Sequence, residues 1–151
     1  MGSRVYAERC RAAHDAVEGM LSLETIGYCA THAGSQRLSF FGLLAPRVGN
    51  FIALVANPRS RALLRAVRDG FRQHTRTGCA TFTLPTSFPG AWSSDHWAFW
   101  KAGYPALMVT DTAPLRYPFY HTPEDTPDKL RYDFLAGVVR GVQGAVAALS
   151  A

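Results

Sequence analysis

The chain has 151 residues, 48% of them hydrophobic and 18% charged. That length and balance describe one folded domain with its own core, and they exclude a disordered, collagen-like or low-complexity chain. Sixteen Lys and Arg against eleven Asp and Glu leave a formal charge of +5, but the cations are scattered except for Arg59, Arg61, Arg65, Arg68, Arg72 and Arg76. Those six form the polar face of one helix, where solvation is the expected role, so no nucleic-acid partner is expected. No apolar run approaches the ~18 residues of a membrane span, and MGSRVYAERC lacks the apolar stretch of a secretory signal. The three cysteines, Cys10, Cys29 and Cys79, are odd in number and contain no CxxC pair. Reduced thiols and a cytoplasmic setting are the default expectation, with no membrane partner.

In chain order, residues 3–14 read as a short helix capped by Ser3. Residues 18–27 (EGMLSLETIG) read as a strand with Met20, Leu21, Leu23 and Ile26 apolar on both faces, as in a sheet covered on both sides. A loop at 28–48 leads to a second buried strand, 50–56 (NFIALVA). Asn57-Pro58 then opens a helix whose apolar face is Leu63, Leu64, Val67 and Phe71. Residues 79–84 alternate like a strand, and a Pro/Gly loop follows. A short helix at DHWAFWKAG is expected to be capped by Ser94 or Asp95 and ended by Gly103. Residues 105–110 (PALMVT) are a fourth strand, and the proline-rich stretch 111–131 is expected to be irregular. A last helix at 133–149, capped by Asp133, has the stripe Leu135, Val138, Val139, Val142, Val146 and Leu149. Its glycines Gly137, Gly141 and Gly144 let a neighbour approach closely.

Strands alternating with helices predict an α/β domain, a three-layer α/β/α arrangement around a mostly parallel or mixed sheet. Ligands of such sheets sit near the carboxyl ends of strands. Polar residues at strand ends are therefore candidates: Glu24, Asn57, Asp95 with His96, Asp111, and His121 in the loop after the fourth strand.

Each candidate has a functional and a plain structural reading. His121 stands in YHTPEDTPDKL. Pro123 and Pro127 keep that segment off a helix, so the spacing to Asp125 does not align two ligands on one face. The imidazole is either held on a rigid loop for a metal or simply solvated. Glu24 either needs a partner or a metal, because a bare buried carboxylate is costly, or already lies in solvent at a strand end. Ser94-Asp95-His96 has the letters of a catalytic triad, but adjacent residues do not converge on one proton path. Asp95 either caps a helix or orients a ligand. Tyr120 either donates its hydroxyl to a developing oxyanion or packs beneath the loop. His14, His32 and His74 read as surface residues. No GxGxxG, GxxxxGK[ST], HExxH or GxSxG motif occurs.

In order, the segments MLSLETIGY, GNFIALVAN, SDHWAFWKAGYPALMVTDT and YHTPEDTPDKL, followed by a closing helix, resemble the C-terminal half of the zinc-dependent exopeptidases of the bacterial leucyl aminopeptidase type. Glutaminyl-peptide cyclotransferases share that fold. The resemblance covers about residues 1–148 and makes the chain a single partial peptidase domain, 1–151. It implies that Glu24 and His121 bind different zinc ions, that Tyr120 polarises the scissile carbonyl, and that Asp95 orients a ligand. It also implies that these four residues gather at one end of the sheet.

The family's His-x-Asp pair, bridging Asp and Glu-Glu pair have no counterpart in these 151 residues. Three of five metal ligands and the general base are thereby missing. The expectations are a weak or incomplete zinc site and a chain inactive on its own, acting on peptides only together with an N-terminal half. Without that half, an unpaired strand edge should drive self-association. Two alternatives stay open: a non-catalytic binding domain derived from the peptidase, and a cyclotransferase-like relative.

Overall fold

The structure is a computed structural model that describes residues 2–37 and 46–150. Four strands, β1 (Met20–Leu23), β2 (Phe51–Ala56), β3 (Gly78–Thr83) and β4 (Ala106–Thr110), form one sheet in the order β1-β4-β2-β3. β1 runs parallel to β4 and β2 parallel to β3, while β2 and β4 are antiparallel, with Ala53 opposite Thr110 and Ala56 opposite Leu107. The carboxyl ends of β1 and β4 therefore share one end of the sheet with the amino ends of β2 and β3.

All six residues of β2 are buried, which explains its unbroken apolar run. Ile52, Leu54 and Ala56, with Leu107 and Val109 of β4, face α2 (Arg61–His74) and α5 (Tyr132–Leu149). Phe51, Ala53 and Val55 turn the other way, toward Met108, Ala80 and Phe82. On that second face, near Met20 and Ala106, pack α1 (Gly2–Ala12) and α3 (His96–Ala102). The result is the expected three-layer α/β/α arrangement with a mixed sheet.

α2 and α5 cross at glycines. A methyl on Gly70 would stand 2.7 Å from Cα of Ala145, and one on Gly141 would overlap the Phe71 ring and the Thr75 methyl. The close approach expected of the α5 glycines is present, but the expected stripe is corrected. The buried face of α5 is Gly137, Val138, Gly141, Gly144 and Ala145, whereas Val139, Val146 and Leu149 are exposed. Small residues occupy the crossing point because the helices lie too close there for larger ones, while Val138 keeps its expected place in the core.

Other expectations shift. β1 is shorter than 18–27 and sits at the edge of the sheet, with Leu23 51% exposed. Ser3 lies inside α1 and its buried hydroxyl has no partner among the described residues, so it is not the cap. Asp133 stands in the first turn of α5, after Tyr132. The stretch 111–131 holds α4 (Ala113–Arg116) and a 3-10 turn at Pro127–Lys129. Asn57 lies at the far end of the sheet from Glu24, where its side chain accepts from the backbone N and hydroxyl of Ser60. It caps the turn that leads into α2 and is not a site residue. Gly103 ends α3 in the left-handed region, as expected. All three cysteines are free thiols. Of the loop 28–48, residues 38–45 lie outside the described residues.

Candidate functional site

The shared end of β1 and β4 carries the candidate residues. Glu24 N donates to the Val109 carbonyl (2.9 Å), continuing the β1–β4 ladder by one residue. Thr25 then turns the chain with φ 46, and the buried Asp111 holds that turn. One carboxylate oxygen accepts from Thr25 Oγ1 (2.7 Å) and the other from Tyr28 N (2.8 Å), while Asp111 N donates to the Thr25 carbonyl (2.8 Å). Burial raises the Asp111 pKa, and the bonds from Tyr28 and Thr25 and the nearby Arg116 charge oppose the rise. Thr112, just after Asp111, is also left-handed at φ 59, and its hydroxyl donates to Gln36 Oε1 (3.1 Å). A left-handed β-branched residue costs about 1–3 kcal/mol and persists only where its surroundings enforce it. Two of them stand directly after Glu24 and Asp111.

Arg116 braces this end from beneath. Its guanidinium is buried and donates to Gln36 Oε1, to the Gly49 carbonyl and to the Phe51 carbonyl, each at 2.9 Å. It lies over the Phe51 ring, 4.5 Å from the centroid. Burial pushes its pKa down to about 10 despite the neighbouring Asp111. Residue reading marked Asp111 only as a strand end and did not mark Arg116. The available signal was the acid that follows an apolar strand in PALMVTD, which needs a partner once the strand end is buried.

Above this end a cavity of about 340 Å³ opens on the second face of the sheet. Ala53, Val55, Met108, Leu84, Phe88 and Leu115 line it, and Glu24, Ser93 and Tyr120 are also among its lining residues. Partial burial raises the Tyr120 pKa, and the charges of Glu24 and Asp111 add to the rise. The Tyr120 hydroxyl thus stays protonated and available as a donor. His121 is left-handed (φ 59) and exposed, with its ring stacked on that of Tyr120 at 4.0 Å between centroids. The loop that carries them is non-helical, and Asp125 is engaged by the Tyr117 hydroxyl (2.7 Å).

The Ser94-Asp95-His96 run divides its labour. The Ser94 and Ser22 hydroxyls share a hydrogen bond of 2.6 Å, tying the segment to β1. His96 is a core residue with Nε2 at 2.9 Å from the Ala91 carbonyl, and burial pushes its pKa down to about 4. Asp95 is exposed at the start of α3. Neither Ser94 nor Asp95 makes the expected side-chain cap, because Ser94 is drawn to β1. Glu24 and Tyr120 share one cavity, His121 stacks against Tyr120, and Asp95 follows the residue bonded to β1. His14, His32 and His74 are exposed, as expected.

Among the described residues, no three His, Cys, Asp or Glu stand together as a metal-holding group. A catalytic zinc normally takes three protein donors, so the donors supplied here do not by themselves fit one.

The fold is a mixed-sheet α/β domain with its candidate residues gathered at one strand end. The model of peptidase family M28 matches residues 1–146, and the chain belongs to that family, which is generally zinc-dependent. YfbL of Escherichia coli K12, an uncharacterised protein, is 36% identical over 144 residues, covering 94% of this chain and 44% of YfbL. Among solved structures, LapB from Legionella pneumophila matches with a TM-score of 0.72 at 16% identity, over 98% of this chain and 35% of LapB. The aminopeptidase from Aneurinibacillus sp. strain AM-1 matches with a TM-score of 0.63 at 22% identity, over 96% of this chain and 29% of the enzyme. At these identities the two structures speak to the fold alone. The chain spans less than half the length of these relatives.

Proposed function

We propose that this chain is the part of an M28 peptidase domain that receives the N-terminal residue of a peptide. The observation that carries the reading is the apolar cavity that counts Glu24 and Tyr120 among its lining residues. An apolar side chain fills such a space, while the polar groups meet the charged and carbonyl ends of the residue it belongs to. In this reading Tyr120 donates to the carbonyl oxygen as negative charge develops there. Glu24 and His121 would serve as donors to different metal ions whose remaining donors lie outside this chain, and Asp95 would orient a ligand. A metal so held would supply an activated water. No carboxylate of this chain stands in the role of the base that takes that water's proton, so the chain on its own binds and does not hydrolyse. The remaining donors and the base come from the rest of the family's domain, which pairs along β1.

The test has two arms. Titrating leucinamide should shift the NMR signals of Ala53 and Met108, and argininamide should shift them far less. The isolated chain with zinc should release no product from leucine p-nitroanilide, whereas co-expression with the N-terminal half of an M28 domain should restore release that depends on Tyr120. Turnover by the isolated chain, or leucinamide shifts that avoid the cavity, would overturn the reading. A stable monomer that binds leucinamide but is never activated would favour the non-catalytic binding domain.

A further inference from the structure

The groove between α2 and the outer edge of β3 is a second surface with its own chemistry. Arg61, Arg65, Arg68 and Arg72 follow one another at intervals of four, three and four residues and so lie in one row along α2. At about 1.5 Å per residue the row is roughly 16 Å long. Arg61, Arg65 and Arg68 form one wall of a cavity whose other wall is Thr81 and Thr83 of β3. Toward the turn that follows α2, Arg72 lines a further polar cavity with Arg76, Arg140 and one carboxylate, Asp133. Among the described residues only Arg68 of the row has a carboxylate partner, Asp69 at 2.8 Å.

Among the described residues β3 is the outermost strand on this side and pairs only with β2. Leu84 N donates to the Ala56 carbonyl, and since strand residues alternate, Cys79, Thr81 and Thr83 turn their backbone groups away from β2. Arg72 already donates to one of these outward carbonyls, that of Cys79 (3.2 Å). A strand edge and a row of guanidiniums thus run side by side along one groove.

We propose that this groove docks an acidic, extended peptide segment of a partner protein as an additional strand on β3. The spacing supports the fit. Same-side residues of an extended chain repeat about every 6.6 Å, and steps of three and four residues along α2 repeat about every 4.5–6 Å. Alternate acidic side chains of the docked strand would therefore each meet an arginine. Backbone pairing supplies the binding and the arginines select the sign of the charge. A nucleic acid has no ladder to offer the edge, and none of the large exposed aromatics, Tyr6, Trp92 and Tyr132, lies on α2 or β3 for bases to stack on. The competing reading is that the arginines merely blunt an edge against aggregation.

The experiment uses the 151-residue chain and a fluorescein-labelled decapeptide alternating glutamate and valine, followed by anisotropy. The lysine–valine peptide and a single-stranded thymidine oligonucleotide serve as the other probes. The glutamate peptide should bind saturably and slow amide exchange at Thr81 and Thr83. Arg61→Glu combined with Arg65→Glu, both at exposed positions, should weaken binding about tenfold. Thr81→Pro, which removes an outward N–H at an edge where proline is tolerated, should do the same. If that variant does not fold, amide exchange in the native chain carries the same distinction. No binding of the glutamate peptide, oligonucleotide binding of equal strength, or peptide binding without protection of Thr81 and Thr83 would each overturn the proposal.

Discussion

Replacing Asp111 by asparagine tests whether one buried carboxylate sets the geometry beside Glu24. The carboxylate accepts from Thr25 Oγ1 at 2.7 Å and Tyr28 N at 2.8 Å. Asparagine keeps one acceptor oxygen and turns an NH2 group toward the other donor. One hydrogen bond to a charged acceptor is lost, worth about 1.5–3 kcal/mol, and a buried donor is left facing another donor. Relief of the buried charge offsets part of this, so a net loss of about 2 kcal/mol at neutral pH is expected. For a chain of this length that lowers Tm by roughly 4–8 °C. The pH dependence gives a second signature. The folded pKa of Asp111 lies above its ordinary value of 3.8, so the folded state binds this proton more tightly than the unfolded state. The group's contribution is then fully present below the unfolded pKa and lost as pH rises through the folded one. Asparagine does not titrate, so the stability gap between native and variant should widen as pH falls toward 4. Urea unfolding of both proteins at several pH values measures this. A gap under about 0.5 kcal/mol, or one that narrows on acidification, would refute the structural role given to Asp111.

Gly141→Ala should destabilise by about 1–3 kcal/mol in thermal melts, because its methyl meets the Phe71 ring and Thr75, whereas Gly2→Ala meets open space and should be neutral. His96 has its pKa depressed to about 4 against 6.5. The native chain should therefore lose stability as pH falls from 6.5 through 4, by about 3 kcal/mol at most, and His96→Gln should lose this slope. An unchanged slope in the variant would remove His96 as its source. The β1 edge presents Leu23 at 51% exposure. Light scattering at micromolar concentration should show self-association that Leu23→Lys reduces, and a native chain that stays monomeric would count against the β1 edge as a pairing surface.

Sequence alone determined the order and type of the four strands and of the helices α1, α2, α3 and α5, because each carries its own period, whereas α4 in the proline-rich stretch was not legible. FIALVA has no polar residue and must be a strand covered on both faces, and Leu63, Leu64, Val67 and Phe71 recur at helical spacing. The Asn57-Pro58 start and the Gly103 stop were equally local, set by side-chain and backbone preferences that need no distant partner. Glu24, Tyr120 and His121 were picked out by an ordered set of segments, and residue types alone left each of them open. What only the tertiary structure decided is which residues meet. The antiparallel placement of β2 beside β4 sends Asn57 to the far end of the sheet, and the parallel pairing of β1 with β4 leaves Asp111 facing Thr25 and Tyr28, 86 and 83 residues away. The crossing of α2 and α5 shifted the expected stripe of the last helix, keeping Val138 in the core beside buried glycines and alanine and exposing Val139 and Val146. Arg116 read as one more scattered cation until the carbonyls of Gly49 and Phe51 and the amide of Gln36 closed around it. Hydrophobic period is a property of a segment, but a buried polar group is explained by its partners, and those are brought to it only when the whole chain has folded.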